Sequence, residues 1–193
     1  MKLKPKKSLG QNFLVDDNII NIITNLANIN KNSTILEIGP GTGNLTEKLI
    51  LKRPQRMILV EKDKNLSQNL KNKFNGKVEV INKDFLDLSI IEKNYKNLSI
   101  FGNLPYNVAS EILIKIIKSN ESFYYDKLVF MFQKEVAERI IREAADDKSI
   151  ITVTDASLSK FFEEDPSITG PITKTSNITY FDKPVKTTVG ICV

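Results

Sequence analysis

The stretch Thr34-Ile35-Leu36-Glu37-Ile38-Gly39-Pro40-Gly41-Thr42-Gly43 decides the fold of this chain. It opens with an apolar run of strand length that ends in glycine, and residues 44–51 behind it have helical spacing. The three glycines allow the backbone to turn tightly and to approach a ligand closely. The pattern is not the dinucleotide-binding G-x-G-x-x-G, because its third glycine comes one residue early. The stretch therefore predicts a strand, a tight turn and a helix.

Downstream of this stretch, apolar runs of strand length alternate with helical patterns as far as residue 144. The further elements are strands at 57–61, 78–81, 98–103 and 127–132 and helices at 64–74, 109–118 and 134–144. Repeated strand-helix-strand units imply an α/β fold with a mostly parallel sheet and helices on both of its faces.

The composition restricts the chemistry that the chain can perform. Its 193 residues include one cysteine, Cys192, and no histidine. Triads with an imidazole base, histidine-ligated metals and thiolate cages are therefore excluded, and we expect no metal site. The single cysteine fits a reducing compartment. Because no apolar run approaches the roughly 20 residues that span a bilayer, we expect a cytoplasmic protein that does not enter a membrane.

The net charge of +5 is spread unevenly along the chain. Residues 1–143 carry 23 Lys and Arg against 16 Asp and Glu, and residues 144–193 carry 5 against 7. A basic main body suits a polyanionic partner such as RNA. A solvated lysine-rich surface is the alternative that charge alone leaves open.

Three predicted strand ends point to one ligand cleft. The G-x-G-x-G turn resembles the S-adenosylmethionine loop of Rossmann-like methyltransferases, although a turn without a ligand remains the alternative. Glu61 ends the second strand, where a carboxylate accepts hydrogen bonds from ribose hydroxyls. Asp84 follows the third strand, where it would accept from an adenine amino group while Phe85 covers the ring. The alternatives are a surface glutamate beside Lys62 and a helix-capping aspartate. The predicted cofactor contacts here are Gly39, Gly41, Gly43, Glu61, Lys62, Asp84 and Phe85.

A second motif, Asn103-Leu104-Pro105-Tyr106-Asn107, follows the fourth predicted strand at the carboxyl edge of the sheet. Asn-Leu-Pro-Tyr is typical of methyltransferases that act on planar exocyclic amines. There the side-chain oxygen of Asn103 and the carbonyl of Leu104 would accept the two amino hydrogens. Pro105 stiffens the turn, and Tyr106 offers a face for base stacking, worth roughly 1–3 kcal/mol. The alternative is a β-turn with a surface aromatic.

With these residues in place, the chain closely resembles the KsgA-type small-subunit ribosomal RNA adenine dimethyltransferases. Four co-linear motifs carry the resemblance, at residues 7–14 (Lys-Ser-Leu-Gly-Gln-Asn-Phe-Leu), 36–43, 101–107 and 131–139. The resemblance implies a Rossmann-like class I methyltransferase fold with S-adenosylmethionine as its cofactor. It also implies dimethylation of two adjacent adenosines in a hairpin near the end of the small-subunit RNA.

The resemblance also implies roles for single residues and partners. By position, the family's cofactor contacts are Asn12, Leu14, Gly39, Glu61, Asp84 and Asn103, and Gln11 and Phe13 belong to a segment that closes over the cofactor and the target base. The alternative for residues 11–14 is an arm that packs Phe13 and Leu14 into the core. The catalytic residues would be Asn103, Leu104, Pro105 and Tyr106. The expected partner is the small-subunit RNA of an assembling small ribosomal subunit, and we expect a monomer.

We expect one methyltransferase domain over residues 1–193. Residues 1–16 would be its basic N-terminal arm and cofactor-closing segment, and residues 145–193 a divergent C-terminal part. In that part, 149–154 fits a strand or a helix, 166–171 predicts a loop and 186–193 predicts a last strand. We expect the family's small helical C-terminal domain to be absent.

Two other functions remain open. The related methyltransferases that modify an adenine of large-subunit RNA and confer antibiotic resistance share the chemistry, but more often have isoleucine where Leu104 stands. A ribosome-assembly factor that binds RNA and cofactor without methylating would fit the divergent C-terminal part.

Overall fold

The computed structural model describes residues 13–88, 95–104, 106–118 and 125–132, and the backbone of four short strands after residue 150. Within these residues, the strands of the main sheet are β1 (Thr34–Ile38), β2 (Arg56–Val60), β3 (Glu79–Ile81), β4 (Leu98–Asn103), β5 (Lys127–Met131), β6 (Val153–Thr154) and β9 (Thr188–Cys192). These seven strands lie in the order β3-β2-β1-β4-β5-β9-β6, and every neighbouring pair is parallel. A separate antiparallel pair joins β7 (Thr179–Tyr180) to β8 (Lys183–Pro184).

Helices cover both faces of the sheet. The described helices are α1 (Asp17–Leu26), α2 (Asn44–Leu51), α3 (Lys64–Phe74) and α4 (Tyr106–Lys118), with a 3₁₀ turn at Phe85–Asp87. The buried residues of α1, α2 and α3 share one apolar cluster, and those of α4 belong to a second cluster on the opposite face. None of the helices in this part of the chain has both the length and the apolar character needed to cross a membrane.

The central strand β1 is buried along its whole length. Its side chains alternate, so that Ile35 joins the cluster of α1 to α3 while Leu36 and Ile38 join the cluster of α4. Burial on both faces explains why this strand is a nearly continuous apolar run. The order of the strands reverses at β1, because β2 pairs with one of its edges and β4 with the other. A ligand crevice is expected at the carboxyl ends of β1 and β4 for that reason.

The predicted fold class, with its parallel sheet and helices on both faces, is confirmed. Helix α1 is not predicted, although Asp16 caps it by accepting from the amides of Asn18 and Ile19 at 2.8 and 3.2 Å. Helix α4 begins at residue 106 rather than 109, and β2 is shifted by one residue towards the N-terminus.

The C-terminal part is described only in pieces. A strand at 153–154 falls within the ambiguous stretch 149–154, and the predicted last strand is confirmed at Thr188–Cys192. The predicted helix at 134–144 and the predicted loop at 166–171 lie outside the described residues.

The first prediction concerns the sheet core. Phe101 is 0% exposed on β4, so Phe101→Ala should lower the free energy of unfolding by about 3–5 kcal/mol through lost burial and a residual cavity. Leu51→Ala is the control, because Leu51 is 73% exposed and its loss should change stability by less than about 0.5 kcal/mol. Urea denaturation of both variants measures the difference, and equal effects would contradict this core.

Candidate active site

The glycine turn after β1 has a backbone that favours glycine. Gly39, Gly41 and Gly43 have φ angles of 65°, 59° and 82°, all in the left-handed region. Any other residue there would cost roughly 1–2 kcal/mol. Two hydrogen bonds of 2.9 Å close the turn, from the Gly39 amide to the Val60 carbonyl and from the Gly43 amide to the Pro40 carbonyl. The turn is thereby fixed both to β2 and to itself.

Two of these glycines also let other elements pack directly against the turn. A Cβ on Gly43 would lie 2.7 Å from Cε2 of Phe74 and 3.0 Å from Cδ2 of Leu70, both on α3. A Cβ on Gly41 would lie 3.1 Å from Cδ1 of Phe13. The missing side chains therefore make room for α3 at one position and for the N-terminal segment at the other.

Glu61 directly follows β2 and is buried against the glycine turn. Its Oε2 accepts a hydrogen bond from the Gly41 amide at 3.1 Å, and its Oε1 accepts one from the Asp63 amide at 2.9 Å. Burial raises the pKa of Glu61 above its ordinary value, although both amides act in the opposite direction. The Lys62 amide also bonds to this carboxylate, so three of its roughly four acceptor sites face backbone amides and one remains for a further donor. Glu61 therefore shapes the turn and can still accept from a ligand.

The third strand end is built around Asp84. Its Oδ1 accepts from the Leu86 amide at 3.0 Å and caps the 3₁₀ turn, and its Oδ2 accepts from Nζ of Lys62 at 2.5 Å. Partial burial alone would raise the pKa of Asp84, but the bonds from Lys62 and Leu86 outweigh it and hold this pKa below its ordinary value. Phe85 is buried in the core cluster of α4. The capping alternative is thus correct for Asp84, and it does not preclude contact with a ligand.

A cleft that is open to solvent, with about 270 Å³ of empty space that includes part of this solvent, joins the glycine turn to the second motif. Asn103 is the last residue of β4 and borders this cleft. A Cβ on Gly39 would lie 3.9 Å from the Asn103 carbonyl oxygen, which shows how closely the two segments approach. The lining residues are Phe13, Leu14, Glu37, Gly39, Pro40, Gly41, Thr42, Asn44, Leu45 and Asn103.

The structure describes some of the other predicted site residues but not all of them. Leu104 is buried directly after Asn103, and Tyr106 begins α4. Leu14 lines the cleft, and its carbonyl accepts from Nδ2 of Asn44 at 2.7 Å, which fixes the N-terminal segment to the start of α2. The predicted Gln11, Asn12 and Pro105 lie outside the described residues, as does the Tyr106 side chain.

Glu37, to which no sequence motif assigns a role, lines the cleft and is only 2% exposed. Its Oε2 accepts from the hydroxyl of Thr46 at 2.7 Å, and the structure gives its Oε1 no donor among the described residues. Desolvation raises the pKa of Glu37 from 4.5 to about 8, although the Thr46 bond acts against it. Its signal in the sequence was a lone charge inside an apolar strand.

No sequence motif assigns a role to Asn82 either. Its Nδ2 donates to the carbonyls of Glu61 and Lys62 at 2.8 and 3.2 Å, so it ties the end of β2 to the end of β3. In the same part of the chain that the structure describes, no group of three acidic, histidine or cysteine residues is arranged to hold a metal ion.

A parallel sheet with a glycine turn after β1, an acid after β2 and a cleft that reaches the end of β4 is the arrangement of Rossmann-like folds that bind a nucleotide or an adenosine-bearing cofactor. The family model described as ribosomal RNA adenine dimethylase matches residues 2–179. The chain belongs to this family.

Relatives include two proteins named ribosomal RNA small subunit methyltransferase A. The protein from Pelagibacter ubique is 49% identical over 144 residues, which cover 74% of this chain and 55% of the relative. The protein from Hydrogenobaculum sp. is 40% identical over 192 residues, which cover 94% of this chain and 71% of the relative. The chain thus spans little more than half the length of the first.

Two solved structures resemble this one with TM-scores of 0.58. The 23S rRNA methyltransferase ErmE is 27% identical, over 69% of this chain and 53% of that protein. A dimethyladenosine transferase from Plasmodium falciparum is 30% identical, over 67% of this chain and 46% of that protein.

The second prediction separates packing from backbone strain in the glycine turn. Gly43→Ala combines left-handed strain with a clash against Phe74, whereas Gly76→Ala has a φ of 74° but no atom within 4 Å of the new Cβ. We expect Gly43→Ala to lower the free energy of unfolding by roughly 1–3 kcal/mol more than Gly76→Ala, since overpacking adds to strain. Urea denaturation measures both, and equal losses would show that α3 does not press on the turn.

The third prediction follows from the raised pKa of Glu37. The folded protein retains this proton while the unfolded chain loses it, so the stability contributed by Glu37 falls as the pH rises from 4.5 to about 8. The Glu37→Gln variant has no titrating group at this position, so it does not show this pH-dependent fall in stability. The free energy of unfolding of the wild type should fall relative to that of Glu37→Gln by on the order of 1 kcal/mol per pH unit in this window.

Urea denaturation at pH 5, 6.5 and 8 measures this difference, with Glu47→Gln as the control because Glu47 is exposed on the same face of the sheet. A constant gap between the wild type and Glu37→Gln would disprove the raised pKa.

Proposed function

We propose that this chain is an S-adenosylmethionine-dependent methyltransferase that dimethylates two adjacent adenosines in the terminal hairpin of small-subunit ribosomal RNA. The observation that carries the proposal is the single cleft bordered by both the glycine turn and Asn103. A cofactor site and an amine-binding motif on opposite sides of the sheet, without a common cavity, would not support methyl transfer.

The residues of the cleft and of the neighbouring ends of β2 and β3 fit an adenosyl cofactor. Gly39 lines the cleft without a side chain, and Glu61, bonded to the glycine turn, keeps an acceptor site for a ribose hydroxyl. Asp84 is held ionised at the next strand end, where it would accept from the adenine amino group. When bound, S-adenosylmethionine supplies a methyl group on a positively charged sulfur.

The remaining contacts are proposed by position in the family motifs. Gln11, Asn12 and Leu14 would close over the cofactor from the N-terminal segment. Lys62 would border the ribose side through its ion pair with Asp84, and Phe85 would provide the floor of the adenine pocket.

Asn103 and Leu104 would position the target amine. The lone pair of an adenine amino nitrogen is delocalised into the ring, so the nitrogen is a poor nucleophile. The side-chain oxygen of Asn103 and the carbonyl of Leu104 would accept its two hydrogens, which localises the lone pair. Pro105 would stiffen the turn, and Tyr106 would stack on the base. The proton leaves after the transfer, so no strong base is needed and the lack of histidine is no obstacle.

The choice of substrate is supported by the relatives, which are named small-subunit methyltransferases. We further propose that the chain acts as a cytoplasmic monomer on the assembling small subunit. The likeness to ErmE, a 23S rRNA methyltransferase, favours large-subunit RNA as the second candidate.

The proposal is tested by incubating the chain with tritiated S-adenosylmethionine and unmethylated small or large ribosomal subunits. Nucleoside mass spectrometry then identifies the product. Dimethyladenosine in small-subunit RNA is the expected result, and label in large-subunit RNA would favour the second candidate. Cofactor binding without any product would contradict catalysis and favour an assembly factor.

The fourth prediction concerns Asn103. Asn103→Ala should lower the rate of methyl transfer at least about 100-fold, because a positioned hydrogen-bonding group is lost from the reacting centre. It should leave the dissociation constant for S-adenosylmethionine largely unchanged in calorimetry. Gln68→Ala, an exposed change on α3, is the control and should retain activity. An active Asn103→Ala would remove Asn103 from the catalytic step.

A further inference from the structure

Lys115 on α4 reaches across to the 3₁₀ turn that follows Asp84. Its ammonium group donates to the carbonyls of Phe85, Leu86 and Leu88 at 3.1, 2.5 and 2.7 Å. An ammonium carries three N–H donors, which is enough to reach all three carbonyls. The Phe85 carbonyl already accepts from the Leu88 amide at 3.2 Å, so Lys115 adds a second donor to it and also reaches the carbonyls of Leu86 and Leu88. Lys115 therefore holds the 3₁₀ turn through three hydrogen bonds from one ammonium group, an arrangement called the clamp below.

The clamped turn carries the residues assigned to the adenine. The ammonium lies 5.8 Å from the centroid of the Phe85 ring, over its face. The positive charge of Lys115 also contributes to the low pKa of Asp84, after the larger effects of Lys62 and Leu86. Lys115 thus acts on both the position of Phe85 and the charge state of Asp84.

Helix α4 links this turn to the other end of the site. It begins at Tyr106, within the second motif that starts at Asn103, and Lys115 follows nine residues later, about 13 Å along the helix axis. Buried Ala109, Ile112 and Ile116 hold the helix on the sheet. A side chain anchored on this rigid helix gives the turn a fixed reference.

We propose that Lys115 is the positioning residue of the adenosine half of the cofactor site. Because it bonds residues 85–88 to α4, it fixes the distance between the 3₁₀ turn after Asp84, which would contact the adenine, and the glycine turn. This distance determines the affinity for ligands that carry an adenosine. This inference rests on the proposed function, because it assumes that the cleft binds S-adenosylmethionine.

Calorimetry with S-adenosylmethionine and with 5′-methylthioadenosine, which lacks the amino-acid portion, tests the proposal. Lys115→Met keeps the length of the side chain and removes its donors and charge, so both dissociation constants should rise at least tenfold and by similar factors. Lys115→Arg restores charge and N–H donors and should bring both constants to within about threefold of the wild type. Glu111→Gln, an exposed change on the same helix, is the control and should bind as the wild type does.

The outcomes separate the two proposals. A wild type that binds neither ligand would overturn the cofactor site and the role of Lys115 together. A wild type that binds, with Lys115→Met within twofold of it, would overturn the role of Lys115 alone. Lys115→Arg binding as weakly as Lys115→Met would assign the loss to packing and also overturn it. If Lys115→Met does not fold, as judged by its melting temperature, Lys115→Gln replaces it under the same thresholds.

Discussion

The register of β1 between its two neighbours is the constraint on which the rest of the site depends. Ile38 lies opposite Val60 of β2 and opposite Gly102 of β4, so the three strands end at the same level of the sheet. The glycine turn, Glu61 and Asn103 each come directly after those positions. A slip of one residue would turn every side chain of β1 to the other face, and burial on both faces opposes such a slip. The cleft is thus a consequence of strand pairing.

Two buried carboxyl groups, those of Glu61 and Glu37, lie next to the glycine turn that the strand register positions. Glu61 binds the Gly41 amide and joins the turn to the end of β2, while Glu37 lies beneath the turn with one oxygen bound to Thr46. Neither group has a lysine or arginine among its hydrogen-bond partners in the described residues, so backbone amides and a hydroxyl carry the stabilisation. The acceptor site that remains on Glu61 suits a ligand that brings hydroxyl groups to the end of β2, whereas Glu37 retains its proton at neutral pH.

The sequence was informative where one local pattern determines one local structure. The spacing of the glycines predicted the turn, and the alternation of apolar runs with helical patterns predicted the parallel sheet and both of its covered faces. Asn103 was placed correctly because it ends a strand beside β1. The sequence leaves Glu61 as either a ligand-binding or a surface glutamate, and its burial and its bond to Gly41 show that it shapes the turn.

The remaining features depend on contacts between distant parts of the chain. Lys115 bonds to carbonyls 27 to 30 residues away, and Asn82 spans 20 and 21 residues, so no local pattern predicts them. Helix α1 is a different case, because the chain carries local signals for it, the capping Asp16 and isoleucines at helical spacing, that were not used. For Asp84 the sequence cannot distinguish capping from ligand binding, since one carboxylate can do both, and the structure shows the capping bond.

A crystal structure with S-adenosylhomocysteine and adenosine would test the central claim most directly. The account predicts the ribose hydroxyls of the cofactor product within hydrogen-bond distance of Glu61, and the adenosine amino group within hydrogen-bond distance of the Asn103 side-chain oxygen, in one continuous cleft. Binding of the two ligands in separate cavities, or with Asn103 turned away from the adenosine, would contradict it.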